Sequence, residues 1–80
     1  MSVFPERLKN LRLKNKISQA KVATDIGISD TQYQRYEYGE SEPTLSVIID
    51  LIRYFKVSPG WLMGLSDDPT PPKWLSDSHK

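Results

Sequence analysis

Apolar residues recur along the chain at helical spacing, in short blocks separated by caps and glycines. Phe4, Leu8 and Leu11 fall at i, i+4 and i+7, one face of a helix, with Pro5 early where its missing N–H costs little. Lys14 and Lys16 suit the negative end of that helix, which stops near Asn15. Ile17 then reads as a core plug before Ser18, a good N-cap. Val22, Ala23 and Ile26 form the apolar face of a second helix, and Gly27 ends it. Ile28 can fold back on its last turn.

Ser29 caps a third helix, with Gln32 at capping-box spacing. Tyr33, Tyr36 and Glu37 share one face of it; Thr31, Arg35 and Tyr38 share roughly the opposite face. Gly39 ends it, and a polar loop runs to Pro43. Thr44 caps a fourth helix. The pattern puts Leu45, Ile48, Ile49, Ile52 and Phe55 inside, with Val47 and Leu51 on its flanks. Ser58-Pro59 opens a short fifth helix carrying Trp61, Leu62, Met63 and Leu65. From Ser66 the segment Asp67-Asp68-Pro69-Thr70-Pro71-Pro72 reads as extended. The expectation is an all-α helix-turn-helix domain over 1–66 and a Pro-rich C-terminal tail over 67–80.

Composition narrows the chemistry. In 80 residues there is no cysteine, and the single histidine is His79. Thiolate metal sites, disulfides and a Ser-His-Asp triad are therefore not expected, nor is any cofactor. No glycine-rich phosphate loop is present, and Asp67-Asp68 reads as a solvated turn, so an enzyme is not expected. No apolar run approaches the ~18 residues of a membrane span, and the first residues do not resemble a signal peptide. The expectation is a soluble, cytoplasmic domain.

The net charge of +1 hides an asymmetry. Up to Lys21, Arg7, Lys9, Arg12, Lys14, Lys16 and Lys21 oppose only Glu6, a balance of +5. From Val22 to Asp50, Arg35 opposes Asp25, Asp30, Glu37, Glu40, Glu42 and Asp50, a balance of −5. Such asymmetry suggests an electrostatic partner surface, or simply solvated helix faces.

Three fragments carry a resemblance. The run Ile17-Ser18-Gln19-Ala20-Lys21-Val22-Ala23-Thr24-Asp25-Ile26-Gly27-Ile28-Ser29 resembles the helix 2–turn–helix 3 segment of the Cro/repressor-like (XRE-type) helix-turn-helix family. Arg35-Tyr36-Glu37-Tyr38-Gly39 resembles that family's helix 3 ending, and Val57-Ser58-Pro59-Gly60-Trp61-Leu62-Met63-Gly64 its fifth helix. The resemblance covers about Phe4 to Leu65 and implies a compact five-helix, lambda-repressor-like DNA-binding fold. It also implies sequence-specific binding of double-stranded DNA, usually as a homodimer, for transcriptional control in bacteria or phages. The third helix would read the major groove.

Carried onto this sequence, the resemblance places Gln19 against a phosphate, assisted by the positive end of the second helix. Thr31, Gln32 and Arg35 fall where family members meet bases or the adjacent backbone. Arg35 can pair bidentately with guanine, or with a nearby acid such as Asp30. Gln32 can bridge to adenine or phosphate, or serve the capping box; Thr31 can touch a thymine methyl. Tyr38 can donate its hydroxyl to a phosphate. Thr44, with the free N–H groups of the fourth helix, can anchor another. Ser29 can donate to phosphate, though its capping role is the more secure. Asp30 is placed to stabilise its helix N-terminus.

Arg12 and Glu37 match a charged pair that joins helices 1 and 3 in family members. Tyr38 stands where family members often carry a basic residue, and the loop Glu40-Ser41-Glu42 departs from the family's tendency toward basic or neutral residues near the DNA backbone. The dimer surface implied is helix 5 and the segment after it. Trp61 serves the core or that interface, and Trp74-Leu75 packs on the domain, joins a dimer or stays loose. The competing reading is a protein-interaction module on the same fold, of antitoxin or antirepressor type, with a protein partner and weak DNA affinity.

Overall fold

A computed structural model describes residues 3–76. Its helices are α1 (Phe4–Lys14), α2 (Gln19–Ile26), α3 (Asp30–Tyr38), α4 (Leu45–Phe55), α5 (Pro59–Leu62) and α6 (Lys73–Ser76), with no strand among the described residues. His79 lies outside them.

Local chemistry sets the helix limits. Ser18, Ser29, Thr44 and Ser58 each accept a backbone N–H three residues on, from Lys21, Gln32, Val47 and Trp61. Gly27 and Gly39 end α2 and α3 at φ 81° and 75°, the left-handed conformation that glycine enters without a side-chain penalty. The Gly27 and Ile28 N–H groups both return to the Ala23 carbonyl. That bend leaves only Ile28 and Ser29 between Gly27 and α3, and α2 packs against α3.

The core is one cluster. Phe4, Leu8 and Leu11 enter from α1, Val22 and Ala23 from α2, Tyr33 and Tyr36 from α3, and Leu62 from α5. Ile17 and Ile28 pack at its edge as expected, and so does Trp61. The α2–α4 contact carries a polar clasp: the Tyr54 phenol donates to Asp25 at 2.7 Å, and this hydrogen bond holds its pKa up to about 12.

Helix α4 departs from the sequence expectation. Its buried residues are Ile48, Leu51 and Ile52. Leu45 is 71% exposed, Ile49 is exposed and Phe55 only half-buried. The apolar sector is wider than the groove that receives it, because α4 meets α2 and α5. Burial is therefore rotated toward Leu51 and leaves the Leu45–Ile49 edge in solvent. Leu65 likewise falls beyond α5 and is exposed.

The segment after α5 is more ordered than its composition suggests. A sixth, one-turn helix stands at Lys73–Ser76, where the sequence predicts none. Arg7 holds the start of this segment. Its guanidinium donates to the Trp61 and Ser66 carbonyls, pairs with Asp67 at 3.4 Å and lies 4.8 Å over the Trp61 ring. Farther on, the Ser58 N–H donates to the Pro69 carbonyl at 3.1 Å. Of the apolar pair, Leu75 is buried and Trp74 half-exposed. Leu75→Ala is expected to cost about 2 kcal/mol, the low end for a core leucine because only one turn need detach. An unchanged urea midpoint would show that this burial contributes nothing.

Candidate nucleic-acid interface

The surface of interest is built around one buried carboxylate. Glu37 lies in the last turn of α3, facing inward, with its side chain 1% exposed. An ionised carboxylate there needs several donors. Arg12 of α1 supplies two, Nε to Oε2 at 2.6 Å and Nη2 to Oε1 at 3.1 Å. Tyr33, one turn back, donates its hydroxyl to Oε2 at 2.6 Å. Gln19, in the first turn of α2, donates its amide to Oε1 at 3.0 Å. The remaining Arg12 nitrogen, Nη1, donates to the Ile17 carbonyl between α1 and α2. Three helices thus converge on Glu37.

These contacts decide the charge state. Burial alone pushes the Glu37 carboxyl up, but the hydrogen bonds from Arg12, Tyr33 and Gln19 outweigh it and hold the pKa below the ordinary carboxylate value. Burial first, and then the bond to Glu37, push the Tyr33 phenol far up, so it stays protonated and donating. The hydrogen bond to Glu37 likewise raises Arg12 despite its burial.

With its inner face fixed, α3 turns its other face to solvent. Thr31, Arg35 and Tyr38 are exposed, as their spacing predicts. Among the described residues Arg35 is in no ion pair, with Asp30 or any other acid. Gln32 is half-buried. Its backbone N–H completes the cap on Ser29, but its side-chain amide reaches Ser41 Oγ at 3.3 Å, so the reciprocal half of the capping box is replaced by a brace to the following loop. The Ser29 and Thr44 hydroxyls are engaged as caps, each with a lone N–H to accept, and both residues are exposed.

Gln19 differs from its neighbours. It is half-buried with its amide donating to Glu37, so the structure ties it to the internal network. Sequence reasoning finds the Arg12–Glu37 pair but not the third and fourth bonds to Glu37. The Tyr33–Glu37 bond has a signal in the i, i+4 spacing; the Gln19–Glu37 bond has none.

Two helices at a tight turn, the second locked by its buried face and polar on its outer one, form a helix-turn-helix. Residues 8–62 match the family described as Helix-turn-helix. The chain belongs to this family, in its Cro/repressor (XRE) type. It is 35% identical over 69 residues to the HTH-type transcriptional regulator YobD of Bacillus subtilis, covering 86% of this chain and 62% of that protein. It is 33% identical over 75 residues to the cryptic phage CTXphi transcriptional repressor RstR of Vibrio cholerae, covering 94% and 60%. Over 69 residues it is 33% identical to the HTH-type transcriptional regulator DicA of Escherichia coli, covering 84% and 51%. The chain thus spans between half and two thirds of the length of these curated relatives. No described helix is long and apolar enough to cross a membrane.

Proposed function

We propose that this helix-turn-helix chain is a transcriptional regulator, a repressor, that binds double-stranded DNA with α3 in the major groove. The observation that carries the reading is the contrast between the two faces of α3. One face is fixed through Glu37, and the other presents Thr31 and Arg35 with no internal partner among the described residues to give up. An α-helix fits the major groove, and groups preorganised on it lose little freedom on binding. Arg35 reads a guanine, Thr31 a thymine methyl and Gln32 an adenine or phosphate. Ser29, Tyr38, Thr44 and Gln19 sit on the backbone side, Gln19 through the amide hydrogen that Glu37 leaves over. The relatives named as transcriptional regulators support the reading.

One reader helix covers few base pairs. The chain therefore acts as a homodimer on a palindrome, with half-sites about 34 Å apart. The apolar side chains beyond α5, Leu65 at 81% and Trp74 at 54% exposure, support a dimer face there. Selection from a random duplex library at low salt tests the reading. A retained palindrome supports it. Retention without a motif leaves non-specific binding only. Failure of the folded protein to retain DNA favours the protein-interaction alternative, toward which the exposed Glu40 and Glu42 beside α3 also point.

The same acids limit non-specific attraction. Binding is expected to neutralise only about three to five phosphates per dimer, with a salt slope near −0.9 for each. A measured slope near −8 would mean that the basic residues of α1 also reach the duplex.

A further inference from the structure

A second site lies away from α3. Between α1, the end of α4, α5 and the segment after it is an open cavity of about 500 Å³. That is the size of small-molecule pockets generally. Leu11, Phe55, Val57 and Trp61 give it an apolar floor, and Pro69 to Pro71 form one wall. The wall is held by the Ser58–Pro69 backbone hydrogen bond and, nearer α5, by Arg7. No residue of α3 lines it.

Its charge is one-sided. Lys14 and Lys56 line the cavity, with Asn10 one turn before Lys14, and among the described residues no acidic one does. Two helix C-termini, of α1 and α4, also approach it, and each contributes about half a negative charge. Two ammonium groups outweigh them by about one positive charge. Neither lysine is in an ion pair among the described residues. Lys56 is held there by its backbone, in the left-handed region at φ 56°.

We propose that this cavity is a binding site for a small amphipathic anion, an aromatic or aliphatic body carrying one carboxylate, sulfonate or phosphate group. The body lies on Leu11, Phe55 and Trp61 against the proline wall. The anionic group meets Lys14 and Lys56 at the mouth, and the Asn10 amide offers a further donor. This site does not depend on DNA binding by α3.

The test uses 1-anilinonaphthalene-8-sulfonate as the probe and N-phenyl-1-naphthylamine as its uncharged counterpart. Titration of the folded chain, followed by fluorescence and by amide NMR shifts, is expected to show saturable binding of the sulfonate. The shifts should centre on the Trp61 indole and the side-chain amides of Asn10 and Asn15. The neutral dye should bind about tenfold more weakly, since it forgoes the charge interaction. The double variant Lys14→Gln, Lys56→Gly should bring the sulfonate to the neutral dye's affinity. Glycine at 56 keeps the left-handed backbone, and near-UV circular dichroism checks the fold. Equal affinity of the two dyes on the wild-type chain overturns the proposal, as does unchanged sulfonate affinity in the folded double variant. Shifts centred on Trp74 or Leu45, or no saturable binding, do the same.

Discussion

Arg12→Ala is expected to destabilise the fold by about 3–5 kcal/mol, the usual cost of leaving one member of a buried ion pair without its partner. A chain of this length has roughly 4–12 kcal/mol of stability in all. The variant should therefore be partly unfolded at room temperature or melt well below the wild type. The cost is high because the side chain of Glu37 is 1% exposed and, among the described residues, would keep only Tyr33 and Gln19 as donors. Glu37→Ala should fall in the same range, since it strands the Arg12 guanidinium at 12% exposure. Glu37→Gln keeps the shape and one acceptor oxygen, and should cost less than either. Urea denaturation followed by circular dichroism measures all three. Wild-type stability in Arg12→Ala and Glu37→Ala would remove the pair from any role in holding α3.

The same carboxylate gives the fold a pH dependence. The Glu37 pKa is lowered in the folded state, so the unfolded chain binds its proton more readily. Its contribution is complete above the unfolded value near 4.5 and is lost as pH falls through the lower folded value. Stability should drop below about pH 4.5 in the wild type, and that part of the slope should be missing in Glu37→Gln.

Arg35→Ala carries the largest expected effect on binding. A bidentate arginine–guanine contact is worth about 1–3 kcal/mol of discrimination, and the proposed dimer would make two of them. Specific affinity should fall by at least about fivefold, and about thirtyfold or more if both half-sites count in full, with discrimination at one base position relaxed. The fold should be unaffected, because Arg35 is exposed and in no ion pair among the described residues. Comparison of the selected operator with a version altered at each position measures both effects. Unchanged affinity in a folded variant would rule out Arg35 as the reader and count against the groove geometry as a whole.

Helix 3 shows how much of such a site is legible in a sequence. Ser29, the i, i+4 spacing of Tyr33 and Glu37, and Gly39 mark its start, inner face and end, and the outward set of Thr31, Arg35 and Tyr38 follows by difference. The Arg12–Glu37 pair is legible only through the family resemblance, because no local rule joins residues 25 apart. Gln19 shows the limit. Its position in the first turn of α2 suggests a phosphate contact, but only the packing of α2 on α3 brings its amide to Glu37.

Local sequence settles whatever lies within a helical turn or two: the serine and threonine caps, the glycine stops, the apolar faces of α1 and α2, and the polarity of α3. Those interactions join residues three or four apart, so their spacing is their geometry. Long-range packing selects which sector of α4 is buried, returns Leu75 to the domain, and brings Arg7 to Trp61 across 54 residues of chain. In each case a side chain has several partners of suitable chemistry, and the choice belongs to the groove left by other elements. An apolar sector wider than its groove must leave one edge in water. For α4 that edge is Leu45 and Ile49, because the neighbouring helices cover the side that carries Leu51.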